Sequence, residues 1–152
     1  MRDRCWLGAL LVLMAMFAIG GRSASAQTCT ITTTPVSFGV YDVFATTPIT
    51  STGSLTYHCI GNVATITIWI SKGLGTTNNP RQMVNGNNRL NYYLCQDVNC
   101  TILWGDMGYP TDYGPVRPGA GLVSLNVYGK IPAGQDVPAG TYTDTMLVEI
   151  DY

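Results

Sequence analysis

Hydrophobic and polar residues alternate along most of this chain, and the alternation lays out a series of short strands. The stretch AGTYTDTMLVEIDY, residues 139–152, shows it clearly. From Thr145 onward Met146, Val148, Ile150 and Tyr152 fall on one side, and Thr145, Glu149 and Asp151 on the other. Leu147 is the one apolar residue on the polar side. The same period runs through ATITIWIS, where Ile66, Ile68 and Ile70 share a face. It recurs in LVSLNVYGKI, where Val123, Leu125, Val127 and Ile131 do so, with Gly129 in register between them. TCTITTT, VSFGVYDVF, GSLTYHC, RQMV, RLNYYLC and CTILWG complete the set. Asn85-Gly86-Asn87-Asn88 predicts a tight hairpin between RQMV and RLNYYLC. DMGYPTDYGPVRPGAG reads as a long loop rich in Gly and Pro. Seven or eight short strands and no helical period predict an all-β, immunoglobulin-like sandwich of two layers. The last strand runs to residue 152 with no turn after it, which raises the question of what lies beside it in the sheet.

Composition agrees with an all-β chain. Charged residues make up only 11% of the sequence, too few Glu and Lys for surface helices, whereas Thr, Tyr, Val and Ile suit strands. The N-terminus belongs to export rather than to the fold. Arg2 and Arg4 precede an apolar run from Trp6 to Ile19, and Ala24-Ser25-Ala26 supplies a small-residue exit. Residues 1–26 therefore read as a secretory signal peptide cleaved before Gln27, leaving residues 27–152 as one domain. That mature chain keeps Lys72, Arg81, Arg89, Arg117 and Lys130 against Asp42, Asp97, Asp106, Asp112, Asp136, Asp144, Glu149 and Asp151. It is weakly acidic without a basic patch, so nucleic acid is not an expected partner.

Four cysteines remain after Cys5 leaves with the signal, and an even count in an exported chain predicts disulfides. Strand phase and spacing favour Cys29 with Cys59, bridging two sheets or two neighbouring strands, and Cys95 with Cys100 around QDVN. By loop-closure entropy the first is worth roughly 3–4 kcal/mol and the second about 2 kcal/mol. The pair spacing does not fit zinc, and His58 is the single histidine, so no metal or other cofactor is expected.

TCTIT, FGVYD, GSLTYHC, RQM, LNYYL, WGD and the closing block VYGKIPAGQDVPAGTYTDTMLVEIDY occur in that order. Together they resemble a spore coat protein U domain, the domain of the archaic chaperone–usher pilins, over the whole mature chain. One departure is Cys95 with Cys100, where the family commonly carries LYxD without cysteines. The resemblance implies a pilin-type sandwich that is incomplete, lacking its final strand. It implies as partners a periplasmic chaperone, an outer-membrane usher and other pilin subunits. A chaperone strand first fills the open groove and the N-terminal strand of another subunit then replaces it. On that resemblance Met146, Val148, Ile150 and Tyr152 form the acceptor edge, with basic residues of the chaperone holding the terminal carboxylate of Tyr152.

Magnitudes point the same way. A missing core strand leaves about five inward positions unfilled, at roughly 1.5–3 kcal/mol per large apolar side chain. The loss, on the order of 10 kcal/mol, rivals the stability of an ordinary domain. A long uncovered apolar edge also invites aggregation, so such a chain needs a partner strand. Giving a strand is another matter. At ~3.3 Å per residue a donor needs about ten residues ahead of the first core cysteine. Cleavage before Gln27 leaves Gln27 and Thr28, and earlier cleavage exposes GRSASAQT, which has no apolar alternation. The expectation is a terminal or accessory structural subunit of a fimbria or surface coat.

Candidate chemistry elsewhere is sparse. His58 has no nucleophile or second base to work with, and Asp97, Asp106 and Asp112 sit in loops where Asx turns are their ordinary role. No enzyme is expected. Trp104, Tyr109 and Tyr113 could stack on a glycan or an abiotic surface, making the chain a tip adhesin; alternatively Trp104 is buried at a strand end. A third reading is a soluble exported protein of the same fold. Arg81 and Asp144 are expected to tie strands and turns together, and Gly140 to adopt a backbone geometry closed to other residues.

Overall fold

The computed structural model describes residues 26–106 and 111–152. The expected signal peptide, apart from Ala26, lies outside the described residues, and so does Tyr109. Among the described residues there are eight strands and no helix: β1 (Thr28–Thr34), β2 (Ile49–Ile60), β3 (Ile66–Ile70), β4 (Arg81–Asn85), β5 (Asn88–Cys95), β6 (Tyr113–Val116), β7 (Leu122–Ile131) and β8 (Val148–Asp151). They form an antiparallel five-stranded sheet in the order β1-β2-β7-β5-β4, facing a three-stranded sheet in the order β6-β3-β8. This is the immunoglobulin-like sandwich that the alternation predicts. No strand lies on the outer side of β8 among the described residues.

The alternating positions meet between the layers. Leu55 and Tyr57 of β2, Leu90, Tyr92 and Leu94 of β5, and Val127 and Ile131 of β7 are buried against Ile66, Ile68 and Ile70 of β3. Each such side chain contributes roughly 1.5–3 kcal/mol. The β4–β5 hairpin closes at Asn85 and Asn88, which are paired. Gly86 opens its two-residue loop at φ 58°, a left-handed conformation that primed hairpin turns need and glycine adopts at no steric cost.

Both disulfides follow the spacing. Cys29 and Cys59 are directly opposed in the β1–β2 ladder and bonded, so the bridge joins neighbouring strands rather than the two sheets. Cys95 and Cys100 close the QDVN loop. The two sheets are tied instead by Arg81, which is 1% exposed. From β4 its guanidinium reaches the opposite sheet, donating to the carbonyls of Ile70 at 2.7 Å and Ser71 at 3.2 Å. It also donates to those of Trp104 at 2.9 Å and Asn78 at 3.4 Å. Burial lowers its pKa, against the raising effect of Tyr92, Asp106 and Asp144.

Three segments depart from the sequence reading. VSFGVYDVF belongs to no strand: Gly39 takes a φ of 74°, and Val43 and Phe44 lie in a turn closed by Ala45 N donating to Asp42 O. Val36, Phe38 and Tyr41 pack on the core as a strand's inward residues would, yet the backbone has no neighbouring strand to pair with. CTILWG is likewise not a strand: only Leu103 bridges, to Cys95, because the disulfide and the Asp97 side chain curl residues 96–102 into a closed loop. Conversely, Tyr113–Val116 in the Gly/Pro-rich loop pairs with β3 as β6. The last strand is also shorter than the alternation, since regular pairing starts at Val148.

Candidate functional site

A cleft of about 1100 Å³ opens over the inner face of the five-stranded sheet, at its β4–β5–β7 end. Its floor is core: Met83 of β4, Leu90, Tyr92 and Leu94 of β5, and Ile131 at the end of β7. Residues 35–43 form one wall and residues 137–146 the other. These side chains are only 1–9% exposed, so the trough runs above a floor that is itself packed core.

The first wall lies where it does because β7 makes room for it. A Cβ on Gly129 would come within 2.5 Å of Val36 Cγ1 and 2.6 Å of Phe38 Cζ, so only glycine lets this segment cross the strand. Phe38 then meets Tyr92 edge-on, with ring centroids 5.9 Å apart. Ser51 Oγ donates to Ser37 O at 2.6 Å, and Tyr41 Oη donates to Pro132 O at 3.1 Å. Gln135 reinforces the same corner. Continuing the β5–β7 register beyond Tyr93 and Lys130 places Asn91 opposite Pro132, which has no N–H to give. The Gln135 side-chain amide substitutes for it, donating to Asn91 O at 2.9 Å and accepting from Asn91 N at 2.8 Å. The backbone N–H of Gln135 donates to Tyr41 Oη at 2.8 Å.

The second wall changes sheets. Thr143 pairs with Val84 through two backbone hydrogen bonds, of 2.8 and 3.1 Å, at the outer edge of β4. Val148 then pairs with Ile70 in the other sheet. Asp144 secures the crossing: its Oδ1 accepts from Leu74 N at 2.7 Å and Thr145 N at 2.8 Å, and its Oδ2 accepts from Tyr92 Oη at 2.7 Å. Burial first, and then that bond to Asp144, push the Tyr92 phenol far above its ordinary pKa, so it remains a donor. One residue before β8 the ladder is completed by a side chain. Ser71 O is turned to Arg81, and Leu147 N donates instead to Ser71 Oγ at 2.9 Å. Gly140 does not take a left-handed φ, and what a Cβ there would meet is the side-chain amide of Asn85.

Beyond this wall, Met146, Val148 and Ile150 pack on the core, and Tyr152 is 55% exposed. The four residues expected to share a face thus flank the free side of β8. Among the described residues, cleft and β8 edge are bordered by backbone without a neighbouring strand.

Residues 14–149 match the Spore Coat Protein U domain. The chain belongs to that family. It is also 34% identical over 133 residues to "Protein U" of Myxococcus xanthus, covering 77% of this chain and 71% of that protein. Among solved structures, the fold of this spore coat protein U domain is similar to that in a complex from Acinetobacter baumannii. That complex is the CsuC–CsuE chaperone–tip adhesion subunit pre-assembly complex of archaic chaperone-usher Csu pili. The TM-score is 0.59 and the identity 24%, over 84% of this chain and 40% of that chain.

Of the two readings of Trp104, the structure shows the buried one, and Tyr109 lies outside the described residues. Trp104 is 2% exposed and packs on Tyr113 of β6, with ring centroids 6.0 Å apart; its ring faces are covered by core neighbours and not offered to a ligand. His58 lies on the outer face of β2 between Thr30 and Leu122. Asp97 and Asp42 cap nearby backbone N–H groups, as loop acids do. The cleft floor was not foreseen as a site, because Met83, Leu90, Tyr92, Leu94 and Ile131 read in sequence as ordinary core positions. Val36 and Phe38 carried the one available signal: strand-like alternation in a segment that gains no strand partner among the described residues.

Proposed function

We propose that the chain is an exported, non-enzymatic structural subunit of a chaperone–usher surface assembly, completed by a strand from another polypeptide. The single observation that carries this reading is the open cleft, whose floor is the domain's own core and whose border continues into the unpaired side of β8. A strand laid beside Met146, Val148, Ile150 and Tyr152 and over the floor would seal the sandwich. Family membership, and a fold shared with a subunit captured with its chaperone, support the same reading. The partners are a periplasmic chaperone first, then a neighbouring subunit at an outer-membrane usher. Export relies on residues 1–26 as a signal peptide. GRSASAQT ahead of Cys29 lacks the apolar alternation of a donor strand, which favours a terminal or accessory position in the assembly.

The test compares the exported chain alone with a version extended after Tyr152 by a flexible turn and a strand of alternating apolar residues. The extended version is expected to be a cooperative monomer, and the unextended one unstable, polymeric or recovered with a chaperone. A lone unextended monomer that melts cooperatively, with β8 amides protected from hydrogen exchange on both sides, would overturn the proposal.

A further inference from the structure

The outward face of β8 is acidic. Glu149 stands opposite Trp69, and Asp151 stands opposite Thr67; Asp151 Oδ2 accepts the indole N–H of Trp69 at 3.3 Å, which fixes its position on that face. Among the described residues, the charged ones lining the cleft itself are Asp42 on one wall and Asp144 on the other, with no lysine or arginine. A strand docked against β8 would place its inward side chains over the apolar floor and its outward ones directly beside Glu149 and Asp151. In neighbouring strands, opposite charges at facing positions attract and like charges repel.

Resting on the acceptor reading above, we propose that this acidic stripe selects the occupant: a strand that alternates apolar residues inward with lysine or arginine outward. The same stripe rejects a second copy of this chain at that edge. Antiparallel pairing of two β8 strands would set Glu149 and Asp151 of one copy against the same acids of the other, a device that keeps an exposed edge from pairing with itself. The inward apolar residues supply most of the affinity, and the outward charges supply discrimination.

The experiment refolds the full exported chain with fluorescently labelled peptides of about twelve residues, long enough to run the length of the sandwich. Three peptides share the same Val/Ile inward positions and differ outward, carrying Lys, Ser or Glu. The expected order of affinity is Lys, Ser, Glu, with about a tenfold spread between the extremes at low salt, shrinking in 1 M salt. The Glu149→Gln, Asp151→Asn double variant, which keeps an acceptor for Trp69, is expected to bind all three alike. Equal binding of the three by the unaltered chain, or tightest binding of the Glu peptide, overturns the charge selection and leaves the acceptor reading intact. Binding of none removes the acceptor reading and this inference with it.

Discussion

Gln135 bonds both backbone groups of Asn91 with one side-chain amide, at 2.8 and 2.9 Å, and so continues a strand pairing that Pro132 interrupts. The block KIPAGQ thereby has a physical reason: the proline ends the ladder, and the glutamine three residues on restores it. Gln135→Ala leaves the Asn91 groups without their partner and releases the corner that Tyr41 shares. The expected loss is about 1–3 kcal/mol, read as a lower urea midpoint at unchanged slope on the strand-complemented protein. Gln135→Glu keeps the acceptor but not the donor and should fall between. An unaltered midpoint in the alanine variant would contradict this role.

Arg81 acts as an internal cross-tie, with five N–H donors in a planar fork meeting four carbonyls. A lysine carries the charge but reaches fewer of them from a single nitrogen. Arg81→Met strands the carbonyls of Ile70, Ser71 and Trp104 away from water and should cost roughly 3 kcal/mol or more. Arg81→Lys should retain only part of the stability. Chemical denaturation of both variants checks the order, and equal stability of lysine and arginine would refute it.

Gly129 is where the first wall of the cleft crosses β7. Gly129→Val would push Val36 and Phe38 off the strand at a cost of about 1–3 kcal/mol. The expected signature is local: faster amide exchange and protease cutting in residues 36–43, with β2 and β3 still protected. Uniform loosening of the whole sandwich would argue against so specific a contact.

Asp97 is held below the ordinary carboxylate pKa, chiefly by the Ile102 N–H and then by Thr101. A depressed pKa contributes stability that is present above the unfolded value and lost as pH falls through the folded one. The disulfide-closed loop should therefore keep its conformation through mildly acidic pH. The Ile102 amide resonance should titrate with a midpoint below about 3.9, the unperturbed aspartate value. A midpoint at or above that value would mean the cap is absent in solution.

Much of this architecture was legible from side-chain alternation. β2, β3 and β7 carry a clear period of two, Asn85-Gly86 marks its hairpin, and the cysteines pair as their spacing suggests. The errors share a cause. Val36 and Phe38 alternate because they face the core, and Tyr41 rejoins them three residues on, past the positive-φ Gly39, but whether a strand forms there depends on a neighbour that alternation cannot supply. β6 was hidden because Gly114 and Pro115 mask the pattern in a pairing that only the tertiary fold creates. Trp104, beside a loop, left a surface and a buried reading open in sequence, and the folded chain places it beneath. The cleft was the hardest to foresee: Leu90 and Leu94 read in sequence as ordinary core positions and are buried as such, and nothing in their spacing tells of the open trough above them.

The Cys29–Cys59 bridge has a mechanical consequence. It joins the second residue of β1 to its direct neighbour in β2. Tension arriving through the backbone ahead of β1 therefore passes into β2 by a covalent link, and the hydrogen bonds of β1 are bypassed rather than peeled one after another. Load entering at that end is carried straight into a strand held on both sides, which leaves the outermost strand as a passenger.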